Sequence, residues 1–151
     1  MLTIDNLTVH IQRSEILRGV KLTIPTGEVA GLIGRNGAGK TTLMRAVMGL
    51  LPIEQGTIAL DGTDLVSRPA HARARLAVGY MPEDRRLVPT FSVEENVMLP
   101  VVATQGRPDP ERLQWVYGLM PEVRQFGSRR ALQLSGGQQK LVALARALMC
   151  G

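Results

Sequence analysis

Aromatic side chains are scarce in this chain, with two phenylalanines, two tyrosines and one tryptophan among 151 residues. Five rings are too few for the stacking platforms on which single-stranded nucleic acid is held. The net charge of +5 therefore does not by itself indicate a nucleic-acid partner. Fifteen arginines stand against three lysines, scattered, with adjacent pairs only at Arg85, Arg86 and Arg129, Arg130. The reading is a solvated basic surface, with attraction to an anionic membrane face or an acidic partner surface as the alternative. Cys150 is the only cysteine, which excludes an internal disulfide and fits a reducing compartment. Long apolar runs are missing too: the longest, Val97 to Ala103, is interrupted by Pro100 and falls far short of a bilayer span. Met1 to Val9 lacks the basic start and continuous apolar block of a secretory signal and alternates like a strand, so a cytosolic location is expected.

What is present reads as one domain of α/β type. Hydrophobic residues make up 44% and charged residues 21%, ordinary values for a chain with one core. Residues 2 to 9 and 16 to 24 have strand composition and predict an antiparallel pair across the stretch Ile11 to Glu15. Glu28 to Ile33 predicts a strand, Thr41 to Leu50 a helix ended by Pro52, and Thr57 to Leu60 a strand closed by the Asp61, Gly62 turn. Pro69 to Leu76 predicts a short helix and Ala77 to Met81 a buried strand. Ser92 and Glu95 form a capping-box pattern that opens a helix. Pro108 to Leu119, Pro121 to Phe126 and Gln139 to Met149 predict further helices. The core is expected over residues 1–85, a helical subdomain over 86–135, and a separate motif and helix over 134–149.

Gly34 to Thr41 reads GRNGAGKT, the pattern G-x-x-x-x-G-K-[ST] placed after an apolar strand-like run. A polyphosphate needs many donors close together, and side chains would crowd it. Gly34, Gly37 and Gly39, with Arg35, Asn36 and Ala38 between them, allow successive backbone N–H groups to turn inward around an anion. Lys40 adds a point charge toward the outer phosphates, Thr41 offers its hydroxyl to Mg²⁺, Thr42 follows in the first turn, and the helix start aims its positive end at the same place. The alternative is a glycine-rich turn without a ligand. The Lys-Thr ending argues against it, because a lysine aimed at clustered N–H donors gains nothing unless an anion lies between them.

A second signal, Leu134, Ser135, Gly136, Gly137, Gln138, spells LSGGQ ahead of a helix-like run. Locally it reads as an N-cap. With the first motif, and in this order, it resembles the ATP-binding subunit of an ABC transporter over residues 1–151. The resemblance implies a P-loop NTPase core with antiparallel N-terminal strands and a helical subdomain, with the chain ending before the Walker B strand. It also implies that ATP and Mg²⁺ bind at Gly34 to Thr42. Ser135 and Gly137 would then face the γ-phosphate of ATP held by a second ABC ATP-binding subunit, in a homo- or heterodimer.

Further expectations rest on that resemblance. Glu83 stands where the family carries a glutamine that senses Mg²⁺, water and the membrane subunit, so it is a second candidate near the metal after Thr41. The run PEDRR at Pro82 to Arg86, followed by Pro89 to Asn96, is similar to the ATP-binding subunits of branched-chain amino acid importers. The implied partners are transmembrane permease subunits and the implied place is the cytoplasmic face of the inner membrane, with no nucleic acid. The family usually stacks an aromatic residue on adenine, whereas the matching stretch here offers only His10, read as a surface histidine. The family's acidic Mg²⁺ residue, water-activating glutamate and later histidine all follow the signature helix, so no catalytic residue is assigned. The expectation is a fragment with weak nucleotide binding, poor solubility and no measurable turnover. The alternatives are a noncatalytic regulatory partner of a full subunit and a soluble ABC protein that clamps nucleic acid.

Overall fold

A computed structural model describes residues 1–104, 106, 107 and 109–150. It divides into two compact units, Met1–Arg73 and Ala74–Gly151. The first unit is built on a four-stranded antiparallel sheet of order β2-β1-β3-β4, from β1 (Leu2–Ile11), β2 (Ser14–Ile24), β3 (Gln55–Leu60) and β4 (Thr63–Asp64). The connection of β1 to β2 is tighter than the sequence predicts, with only Gln12 and Arg13 between the strands. In β1, Ile4, Leu7 and Val9 are all buried, although the step from 4 to 7 breaks the two-residue period of a strand. Asn6 resolves this by taking φ 49 at a register irregularity, which rotates Leu7 back to the core side. Gly56 sits against the same place at φ 100, where a Cβ would strike the Asn6 carbonyl.

Helix α1 (Lys40–Val47) buries Leu43 and Ala46. It ends earlier than the sequence predicts, for one local and one distant reason: Gly49 adopts φ 69, and the Arg73 guanidinium donates to the carbonyls of Ala46 and Val47. Arg73 also donates to Arg68 O, is only 2% exposed, and is pushed below the usual guanidinium value by burial. It closes helix α1 much as a backbone cap would. Arg73→Met leaves Ala46 O its bond from Gly49 N–H but takes the guanidinium from the Val47 and Arg68 carbonyls, lowering stability by about 2 kcal/mol, measurable by urea unfolding. Short helix α2 (Ala70–Arg73) and a single 3₁₀ turn at Ala74–Leu76 occupy the predicted helix at Pro69 to Leu76.

Two predicted strands are absent from the described residues. Residues 29–33 belong to no ladder; Val29 and Ile33 are 98% and 94% exposed. A strand exists only where a neighbour pairs its backbone, and no strand lies beside this segment among the described residues. Just before it, the Glu28 N–H bonds to Pro25 O at 3.3 Å. Ala77 to Met81 is likewise neither a strand nor buried. Ala77 turns at φ 61, and Gly79 lies against the Ala147 carbonyl so closely that a Cβ would not fit.

The second unit is helical: α3 (Val93–Ala103), α4 (Pro110–Leu119), α5 (Pro121–Gln125) and α6 (Gly136–Leu148), with a 3₁₀ turn at Ala131–Gln133. Its core joins Val93 and Val97 of α3, Val116 of α4, Val123 of α5 and Val142, Ala145 and Met149 at the α6 end. Ser92 and Glu95 make the predicted capping box. Pro100 lies inside α3 and does not end it. Asp109 caps α4, with Pro110 in its first turn; the predicted start at Pro108 lies outside the described residues.

Candidate functional site

The phosphate-type loop runs from the unpaired segment 29–33 into α1. Gly37 and Gly39 adopt φ 82 and 87, conformations that L side chains rarely take. Gly39 is demanded twice, since a Cβ there would lie 2.9 Å from Leu17 Cδ2 and 3.3 Å from the Ile16 carbonyl of β2. The glycine thus lets α1 start directly on the end of the hairpin. Gly34 needs no special φ, but a Cβ on it would touch that of Ala38 at 3.4 Å. Ala38 N–H bonds to Arg35 O at 3.2 Å, which folds Arg35 and Asn36 into a turn.

Lys40 reaches back over the loop, its Nζ donating to Gly34 O at 2.7 Å and Arg35 O at 2.8 Å. This places one ammonium across the mouth of a ring of main-chain groups. The N–H groups of Lys40, Thr41 and Thr42 open the helix and have no intrahelical acceptor, and Gly39 caps the helix with no side-chain bond. Residues 34–38 and Thr41 are exposed. Donors, a helix N-terminus and a lysine therefore face one accessible point, an arrangement suited to an anion with several oxygens. Among the described residues no group of three or more His, Cys, Asp or Glu could hold a metal alone. A Mg²⁺ here would draw on the Thr41 hydroxyl, ligand phosphates and water, its usual oxygen donors.

The second motif opens α6. Ser135 Oγ accepts from Gln138 N–H at 3.3 Å, and Gln138 Oε1 accepts from Ser135 N–H at 3.0 Å, a reciprocal cap. Leu134 is buried and anchors the turn, whereas Ser135, Gly136 and Gly137 are exposed. Nothing lies within 4 Å of a Cβ placed on Gly137, and its φ is not positive. The chain's own packing therefore gives no reason for glycine at 137. Glu83 is exposed, on a loop of the second unit, with no side-chain hydrogen bond or ion pair among the described residues.

His10 is not a free surface ring. The Glu15 carboxylate stands 3.7 Å from its Nε2, and the Glu54 carboxylate lies against Nδ1 without a directed hydrogen bond. The sequence reading missed three further residues. Asn96 is wholly buried and binds the backbone of the 88–92 turn. Arg73 and Arg146 are buried guanidinium groups bonded to carbonyls. The available signal was a polar residue in an apolar stretch, which holds for Arg146 within LVALARALM; Asn96, directly after Glu94 and Glu95, gave no such signal.

Comparison with known proteins gives a family match over residues 17–151, to a model described as ABC transporter. The lipopolysaccharide export system ATP-binding protein LptB of Escherichia coli K12 is 35% identical over 149 residues, 97% of this chain and 62% of LptB. The probable branched-chain amino acid transport ATP-binding protein LivF of Archaeoglobus fulgidus is 30% identical over 149 residues, 99% of this chain and 63% of LivF. The chain thus spans under two thirds of the length of these relatives. A solved dimeric bacterial ABC transporter cassette aligns with 99% of this chain and 69% of its own length at TM-score 0.82 and 26% identity. An ATP-binding subunit of an ABC transporter aligns with 99% and 62% at TM-score 0.85 and 26% identity.

Proposed function

This chain belongs to the ABC transporter family, and from that premise we propose that it is the ATP-binding, energy-coupling part of an importer for branched-chain amino acids. The fold is that of the ABC ATPase cassette, a P-loop NTPase with antiparallel N-terminal strands and helices. The observation that carries the reading is the ring at Gly34 to Thr42, with glycine required at 37 and 39 and Lys40 across its mouth. ATP is held there by main-chain amides, Lys40 and the start of α1, with Mg²⁺ on Thr41 and Glu83 as the second candidate for contact near the metal. The groups assigned are binding groups, and no catalytic residue is assigned.

Leu134 to Gln138 serves a second nucleotide. Ser135 keeps its hydroxyl on the cap, and the exposed Gly136 and Gly137 leave the α6 N-terminus bare toward a phosphate held by another ATP-binding subunit. The open space at Gly137 supports this, because its glycine is explained by close approach from outside. The membrane partners are transmembrane permease subunits, with the chain peripheral on the cytoplasmic face of the inner membrane. The likeness to LivF and the PEDRR run support amino-acid import. The likeness to LptB favours a second reading, export of a lipid.

The test is sedimentation of the chain with magnesium ATP, with ADP and without nucleotide. Magnesium ATP alone should shift it toward a dimer, and Gly137→Glu should abolish the shift while leaving the melting temperature within about 2 °C, as expected for an exposed position. A triphosphate that neither binds nor promotes pairing removes the proposal. Leucine uptake against lipid export in vesicles carrying the permease distinguishes the two cargoes.

A further inference from the structure

The turn between Pro82 and Leu87 holds two consecutive non-glycine residues at positive φ, Arg85 at 61 and Arg86 at 46. The Arg86 N–H bonds to Asp84 O at 2.6 Å, a two-residue closure around Arg85 that, with its positive φ, is the rare and strained form of γ-turn. Such a conformation is unfavourable in a side-chain-bearing residue and persists only where the surroundings over-determine it. Within the turn Arg86 Nε donates to Asp84 Oδ2 at 3.0 Å, and the hydrogen bonds that reach residues 85 and 86 from elsewhere in the chain come from one helix. From the third turn of α6 the Arg146 guanidinium donates to Arg85 O at 2.5 Å and Arg86 O at 2.6 Å. From the first residue of α6 the Gly136 carbonyl accepts from Arg85 Nη1 at 3.3 Å. Arg146 is 9% exposed and makes no ion pair with a carboxylate among the described residues, so its charge is compensated mainly by those two carbonyl dipoles. Burial accordingly pushes it below the usual guanidinium value. On the far side, the Asn96 amide fixes Val88, so any relaxation has to occur between Pro82 and Leu87.

We propose that residues 84–86 form a strained latch held closed by Arg146, and that release of its two carbonyl bonds lets the turn relax and carries the exposed Glu83 and Asp84 with it. The turn and α6 then behave as one body while the latch is closed and as two when it opens. A merely structural arginine would stabilise a relaxed turn. This one holds a conformation that the turn sequence disfavours, so the two roles differ in how they respond to glycine. The inference does not depend on nucleotide binding.

Hydrogen exchange of the full chain tests it through peptides covering 83–88. Arg146→Met should speed exchange there by about ten-fold or more, and Arg146→Lys, which keeps the charge but lacks the planar two-pronged fork that reaches both carbonyls in one fixed geometry, by an intermediate factor. Arg85→Gly relieves the strain but also removes the Arg85 Nη1 bond to Gly136 O, so the double variant carries the comparison: there it should suppress most of the Arg146→Met effect. If Arg146→Met does not fold, Arg146→Lys with and without Arg85→Gly makes the same comparison. Exchange within about two-fold of the parent in the Arg146 variants, or additive effects in the double variant, would each overturn the latch.

Discussion

Lys40→Ala weakens the binding of magnesium ATP by about 10- to 100-fold in isothermal titration calorimetry, the loss expected for one charged hydrogen-bonding partner of a phosphate. The ammonium already spans the loop mouth, bonded to Gly34 O and Arg35 O, so a ligand meets it without a search through side-chain rotamers. Those same bonds make the variant interpretable. They are exposed main-chain contacts, their loss is compensated by water, and alanine is the best helix former at the first position of α1. The melting temperature should therefore hardly move while affinity falls. AMP, which lacks the outer phosphates, should bind the parent and the variant alike, separating a lost phosphate contact from a damaged loop. Unchanged ATP affinity in Lys40→Ala would remove the phosphate site at 34–42.

How much of this was legible in the sequence depends on the range of the forces involved. The ring at Gly34 to Thr41 could be read because its determinants are local: glycine at positive φ, a lysine and a helix start lie within eight residues. The caps at Ser92 and Ser135 were legible for the same reason, each being a three-residue exchange between side chain and backbone. The strands predicted at Glu28 to Ile33 and Ala77 to Met81 were not, because apolar composition shows only that a segment can pair. Whether it does depends on a neighbour supplied from elsewhere in the fold, and among the described residues neither segment has one. The end of α1 was misplaced for a related reason. Pro52 was a visible stop, but Arg73, 26 residues beyond Val47, takes the terminal carbonyls first. The buried arginines and Asn96 looked like solvated residues until packing showed what surrounds them.

Asn96 carries the largest expected effect on stability. Its side chain is fully buried and acts at both ends: Oδ1 accepts from Val88 N–H at 2.8 Å, while Nδ2 donates to Val88 O at 3.1 Å and Ser92 O at 2.9 Å. Leucine would fill a similar volume and satisfy none of these groups. The backbone N–H of residue 96 still serves Ser92 O, but stranding the Val88 N–H and taking a donor from the Val88 carbonyl outweighs the gain in apolar burial, so Asn96→Leu should cost about 3 kcal/mol. For a chain of this size that corresponds to a melting temperature lower by about 6 to 12 °C, read by calorimetry. Asn96→Asp separates donor from acceptor. An aspartate keeps the bond from Val88 N–H but turns a charged oxygen toward the Val88 and Ser92 carbonyls. Burial and those carbonyl dipoles raise the carboxyl pKa in the folded state above its unfolded value. The folded state then binds the proton more tightly than the unfolded chain, so stability rises as the pH falls through the folded pKa toward the unfolded one. Urea unfolding of Asn96→Asp should accordingly show a deficit at neutral pH that shrinks in mild acid, because the protonated carboxyl can donate where Nδ2 did. A deficit that stays constant over that range would mean that the two carbonyls do not need their donor, and that Asn96 holds the 88–92 turn through Val88 N–H alone.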